Sequence, residues 1–141
     1  AEDPGKIYTD PGQAGIFVRE SGIDALACSF GTTHGVYLTQ PELDFTVVER
    51  VRRETGGIPV VMHGGSGVRP EEFRRAIKAG VRKINYYTYM AIAGGSAAEE
   101  YIRGVREAGT KEPVMYHDVA LAATRAMKDN CSQAMEIFSM K

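Results

Sequence analysis

The 141 residues carry 17 basic against 18 acidic side chains, a formal net charge of −1, which gives no electrostatic case for a nucleic-acid or membrane partner. The length allows one domain with a real core. No apolar run approaches a bilayer span, and the N-terminus lacks a basic-then-apolar leader, so a cytoplasmic protein is expected.

Residues 1–7 have no apolar period. Thr9-Asp10-Pro11 then predicts a helix start, with a side-chain cap and a proline in the first turn. Ala14, Ile16, Phe17 and Val18 are its expected apolar face, and Ser21-Gly22 its end. Ile23 to Phe30 predicts a short strand, closed by Gly31-Thr32-Thr33-His34-Gly35. Within that run, Cys28 reads as a buried reduced thiol, and it shares no metal or redox spacing with Cys131. Pro41-Glu42 opens the next predicted helix, with Phe45, Val48 and Val51 at helical spacing and Gly56-Gly57 as its stop.

Ile58 to Met62 is the second predicted strand, leading into His63-Gly64-Gly65-Ser66-Gly67. Pro70 to Ala79 is a helix with Phe73, Ala76 and Ile77 inward and Gly80 beyond its end. Val81 to Tyr86 is a third strand, followed by a helical region from Thr88. Gly94-Gly95 is expected to break that region before Ala97 to Ala108 resumes it. Asp118 to Phe138 repeats Val119, Ala122, Ala126, Met127, Met135 and Phe138 at helical intervals. Strand and helix alternate as in parallel βαβ units. In a parallel sheet His34, His63 and Asn85 would share the C-terminal edge, where (β/α) barrels keep their active sites.

Each of His34 and His63 closes a strand and precedes a glycine. Neighbouring strands lie about 4.8 Å apart, so two such imidazoles could share a zinc. Two hydrogen-bonded structural histidines would satisfy the same spacing. A catalytic zinc takes three protein ligands, and His117 lies outside any strand-end pattern and reads as a surface or helix-cap residue. The loop Gly64–Ser66 offers backbone N–H groups beside a helix start, one half of a phosphate cradle. Asn85 and Thr88 could form the other half, although capping and turn chemistry suits the same residue types. No Walker-type spacing is present, which argues against a nucleoside triphosphate.

Tyr8-Thr9-Asp10-Pro11, Phe30-Gly31-Thr32-Thr33-His34-Gly35-Val36-Tyr37, His63-Gly64-Gly65-Ser66-Gly67 and Lys83-Ile84-Asn85 with Thr88 resemble, in order, the class II zinc-dependent ketose-bisphosphate aldolases. The resemblance implies an α/β fold, an eight-stranded TIM barrel of which this chain holds about the sixth to eighth strands and the terminal helices. It implies His34 and His63 as zinc ligands. It also implies Gly35, Gly64, Gly65, Ser66, Asn85, Tyr86, Tyr87 and Thr88 as contacts to the phosphate of dihydroxyacetone phosphate. Tyr87 and Tyr89 depart from the small or acidic residues usual there.

By the same resemblance the reaction is reversible cleavage of a fructose or tagatose bisphosphate to dihydroxyacetone phosphate and glyceraldehyde 3-phosphate, as in glycolysis. Zn2+ is the implied cofactor, with a monovalent cation near the phosphate site, in an enzyme that is a homo-oligomer at full length. Family members also carry a catalytic aspartate beside another zinc histidine on an earlier strand, and a catalytic glutamate on a loop before the Tyr8 stretch. None has a counterpart here, so no catalytic residue is assigned and the chain is expected to be the C-terminal half of such an enzyme, inactive alone. A non-catalytic sugar-phosphate-binding module is the rival reading, and a metal-free isomerase on the same barrel a further one.

Overall fold

The computed structural model of the protein describes residues 8–32, 41–109 and 112–140, and the chain divides into two compact units, one ending at Tyr86 and the other beginning at Tyr87. In the first unit, α1 (Pro11–Ser21) starts as its sequence dictates. The Asp10 carboxylate accepts from the Gln13 N–H at 2.8 Å, and Gly22 ends the helix at φ 65°, its N–H donating to the Val18 carbonyl. The buried face matches the expected one only in part, at Ala14 and the half-buried Val18. Pro11, Ala14 and Gly15 are inside, whereas Ile16 and Phe17 are 41% and 54% exposed. Gly15 explains the rotation: a Cβ there would lie 3.0 Å from the Glu54 carbonyl oxygen, so the helix makes its close approach along its small residues.

Strand β1 is only Leu26–Ala27, shorter than the run Ile23 to Phe30. The apolar character continues, with Cys28 and Phe30 buried, and the Cys28 N–H still donates to the Val61 carbonyl at 3.3 Å, but from Ser29 onward the hydrogen bonds leave the sheet. Ser29 is tied to Thr9 through two bonds of 2.8 Å, and the Phe30 carbonyl accepts from the Asp44 N–H at 2.9 Å. That second bond also corrects the next helix start. Helix α2 is Phe45–Glu54, capped by Asp44, whose carboxylate accepts from the Thr46 N–H at 2.9 Å. Pro41 and Glu42 precede it because their segment is pressed against Gly31. At φ 112°, Gly31 lies so close that a Cβ would sit 2.1 Å from the Glu42 carbonyl oxygen. The expected apolar positions of α2 are all inside, Val48 and Val51 completely.

Strand β2 (Val60–Met62) is buried at every residue and lies between β1 and β3 (Val81–Ile84), parallel to both. A strand covered on both faces needs an unbroken apolar run, which Val60-Val61-Met62 supplies. Between them, α3 (Pro70–Ala79) buries Phe73 and Ala76, and Gly80 at φ 131° returns the chain to β3. The largest fully buried side chains among the described residues are Phe30, Met62, Val48, Val51, Val60 and Val81. Arg75 caps this core, its guanidinium 4.4 Å from the Phe45 ring centroid. Burial pushes the Cys28 thiol up to about 11, so its thiolate, the reactive form, is scarce at neutral pH.

The second unit pairs α4 (Thr88–Glu107) with α5 (Tyr116–Phe138). Gly94-Gly95 does not break α4. A Cβ on Gly94 would lie 2.7 Å from Met127 Cγ, so this glycine serves the approach of one helix to the other. On α5 the expected positions Val119, Ala122, Ala126, Met127 and Phe138 are half-buried, whereas Met135 is 68% exposed and its neighbour Ala134 is buried in its place. No helix among the described residues is long and apolar enough to cross a membrane.

Candidate functional site

The site grows from the register of two strands. Met62 and Ile84, the last residues of β2 and β3, are partners, and the Asn85 N–H extends the ladder by donating to the Met62 carbonyl at 2.9 Å. His63 and Asn85 therefore leave adjacent strand ends side by side. The Asn85 amide nitrogen lies 3.1 Å from His63 Nδ1 and 3.0 Å from Nε2. On its other side the Asn85 carbonyl oxygen accepts from Lys83 Nζ. Lys83 precedes Asn85 by two residues, and side chains two apart along an extended chain share a face. Sequence reasoning placed Asn85 and His63 at one edge but gave Lys83 no role; the period of two was the available signal.

After His63 the chain turns through Gly64, at φ 65°, and Gly67, at φ 94°. Gly65 is needed for a different reason. A Cβ there would meet the Phe73 ring at 3.1 Å and Ile84 at 3.4 Å, so α3 itself forms the floor under the loop. Ser66 is buried, and the Val68 N–H closes the turn on the Gly65 carbonyl at 3.3 Å. Below this loop the start of α3 is already supplied with negative charge. The buried Glu72 carboxylate accepts from the Arg69 N–H at 3.1 Å and from its guanidinium at 3.0 Å, while Arg69 also lies 3.3 Å from Glu71. The Arg69 hydrogen bond holds the Glu72 carboxyl below its ordinary range, against the opposing effect of burial. With two carboxylates in that first turn, the helix dipole attracts a further anion less. An anion at this end would depend more on the loop's own N–H groups than on the helix.

The remaining expected positions fall at the end of the first unit, in the second unit, or outside the described residues. Tyr86 is half-buried at the end of the first unit. Tyr87 stands just before α4, 69% exposed, and Thr88 is the first residue of that helix. His34 and Gly35 lie outside the described residues. His117 sits exposed in the first turn of α5, 3.6 Å from the Asp118 carboxylate, as a surface histidine should. No group of three His, Cys, Asp or Glu able to hold a metal occurs among the described residues. His63, half-exposed at a strand end, has the chemistry of one nitrogen ligand. A metal there would need partners from beyond that set.

Comparison with known proteins converges on one family. The family model for fructose-bisphosphate aldolase class-II matches residues 1–141. A fructose-bisphosphate aldolase of Geobacillus stearothermophilus is 41% identical over 112 residues, 79% of this chain and 36% of the relative. The crystal structure of the YdjI aldolase from Escherichia coli K12 superposes with a TM-score of 0.79 at 34% identity, covering 93% of this chain and 46% of that one. A fructose-bisphosphate aldolase structure from Campylobacter jejuni shares the fold at 22% identity, with a TM-score of 0.78 over 99% of this chain and 47% of that one. The chain thus spans less than half the length of each of these relatives.

Proposed function

The chain belongs to the class II fructose-bisphosphate aldolase family, and from that premise we propose that it furnishes the phosphate-binding and part of the metal-binding machinery for reversible cleavage of a ketose bisphosphate. Its three parallel strands correspond in this reading to about the sixth to eighth of a TIM barrel. The observation that carries the reading is the meeting of His63 and Asn85 at neighbouring strand ends, beside the Gly64–Ser66 loop. Fructose 1,6-bisphosphate is the substrate favoured by the relative's name, with dihydroxyacetone phosphate as the product held here.

Each residue has a distinct task. The loop N–H groups of Gly64 to Ser66 receive phosphate oxygens, and the Ser66 hydroxyl adds a donor. Asn85 offers an amide donor to a substrate oxygen and so orients the carbons next to the scissile bond; orientation of this kind can account for several kcal/mol of a barrel enzyme's rate, up to roughly 7–11. By the family pattern Gly35, Tyr86, Tyr87 and Thr88 complete the substrate contacts. His63, with His34, is proposed as a zinc ligand, a role the imidazole fits by donor type and strand-end position. Zinc, when bound, supplies positive charge beside the substrate carbonyl.

Calorimetric titration of the chain with dihydroxyacetone phosphate tests this reading. Binding is expected, with Ser66→Ala weakening it by about 1 kcal/mol. Gly65→Val should abolish it, because the new side chain enters the space of Phe73. Equal losses from the two substitutions, or no binding by the unsubstituted chain, would overturn the cradle.

A further inference from the structure

The pairing of β2 with β3 contains a step. Val60 is the partner of Val81, but Val61 is the partner of Lys83 and Met62 that of Ile84. Where β2 advances by one residue, from Val60 to Val61, β3 advances by two, and the additional residue is Arg82. An unbroken ladder from Val81 would set Arg82 opposite Val61, Lys83 opposite Met62 and Ile84 opposite His63. We propose that Arg82 is a positioning residue for the site: as the extra residue of β3 it carries Asn85, in place of Ile84, to the side of His63, and its guanidinium holds the strand in that register.

Burial shows what the bulge achieves. Partners in a sheet share a face, and residues two apart along a strand share one as well. Val60 and Met62 are fully buried on one face of β2, and Val81 and Ile84 join them there. Val81 is 1% exposed, and Ile84 lies with Phe73 against the Gly65 position. Lys83, opposite Val61, takes the other face, and Asn85 follows it two residues on. Without the extra residue, Val81 and Lys83 would fall on one face, and the lysine would enter the apolar layer that Ile84 now fills. A one-residue slip exchanges the faces of all side chains beyond it. Here it would set an isoleucine where the Asn85 amide nitrogen now lies 3.0 and 3.1 Å from the His63 ring nitrogens.

A bulge disrupts the ladder locally and leaves its extra residue unpaired, and the side chain of Arg82 ties down this one. Arg82 Nη1 donates to the Val81 carbonyl and to the Ile77 carbonyl, both at 2.9 Å. Ile77 belongs to the last turn of α3, so one nitrogen fastens the residue before the bulge to the helix before the strand. A cation is favourable at that helix end as well. The action of Arg82 on the site runs through the register of β3. That the site takes a sugar phosphate rests on the function proposed above; the register does not.

Proton NMR and hydrogen exchange on the full chain test the proposal. In the unsubstituted chain a nuclear Overhauser effect is expected between the Asn85 side-chain amide hydrogens and the carbon-bound hydrogens of the His63 ring. Effects from Ile84 methyls in its place would overturn the proposal. Arg82→Met keeps the stem and loses both hydrogen bonds. Exchange of the Asn85 backbone N–H, which donates to the Met62 carbonyl, should then quicken about fivefold, while that of Val51 in the buried face of α2 stays as it was. Equal acceleration at both amides would make Arg82 a general stabiliser, and none at Asn85 would make it a complement to the helix end alone; either overturns the proposal. Deletion of Arg82 should have the opposite outcome. Strand β3 then matches β2 residue for residue, Val81, Lys83 and Ile84 keep their partners, and the effect between Asn85 and His63 persists. Its loss from a folded deletion variant would also overturn the proposal. Should that variant not fold, the unsubstituted chain and Arg82→Met still decide. Titration of the unsubstituted chain with inorganic phosphate separates the two ideas. Expected exchange and Overhauser effects in a chain that binds no phosphate would uphold Arg82 and sink the cradle.

Discussion

The two units of the chain use glycine and burial in opposite ways. Up to Tyr86 the chain buries large side chains, among them Phe30, Met62, Phe73 and five valines of α2 and β2, and places glycines at turns and close approaches. Among the described residues from Tyr87 onward only Gly94 and Ala134 are buried, while Ile92, Leu121 and Met135 are 44%, 48% and 68% exposed. The first arrangement fixes strand ends to within a hydrogen bond, as His63 and Asn85 require. The second holds two long helices together through small residues, of which Gly94 against Met127 is the clearest. Polar atoms that must meet within about 3 Å need a backbone that cannot shift, and a strand buried on both faces provides it.

That contrast can be broken most severely at Met62. Its side chain is fully buried at the end of β2, so Met62→Ala should destabilise the chain by about 2–5 kcal/mol in urea unfolding. It should also separate Asn85 from His63. A smaller effect is expected at the start of α3. Because Arg69 lowers the Glu72 carboxyl's pKa in the folded chain, that pair's contribution is present above the ordinary glutamate range. It is lost as pH falls from about 4.3 through the folded value. Arg69→Met should remove this part of the acid sensitivity at little cost near neutral pH, since Arg69 is largely in solvent. Melting curves across that pH window provide the measurement. Least of all should follow from Leu121→Ala on the exposed side of α5, within about 0.5 kcal/mol of neutral. A loss as large as that at Met62 would mean the helical unit has a core after all.

Much of this was written in local chemistry. Asp10, Pro11 and Gly22 mark both ends of α1, and the run Ile58 to Met62 names the central strand, because caps and turns act over a few residues. His63 and Asn85 were legible as neighbours because parallel strands bring like ends together. What was missed depends on contacts between distant segments. Pro41-Glu42 has the composition of a helix start, yet Gly31 and Phe30 hold that stretch and Asp44 caps the helix instead. Gly94-Gly95 resembles a break until Met127 is seen against it. Ile16 and Phe17 outrank Gly15 in hydrophobicity, but Gly15 permits the nearer approach to Glu54. The contact of Lys83 with Asn85 was hidden for a simpler reason: charged strand residues are ordinarily solvated, and this one also reaches the neighbouring amide.

The pairing of the strands also carries an order of assembly. Between β2 and β3 the chain makes one excursion through α3, whereas between β1 and β2 it must pass through α2 and the segment before it. Closing the shorter loop costs less chain entropy, and contacts between near neighbours in sequence form faster. The β2–α3–β3 segment should therefore close first, before β1 docks. His63, the glycine loop and Lys83 lie within it, and Asn85 follows it directly. In kinetic terms, the polar constellation belongs to the earliest-closing segment of the fold. Hydrogen-exchange labelling during refolding should find the Asn85 amide protected ahead of that of Leu26.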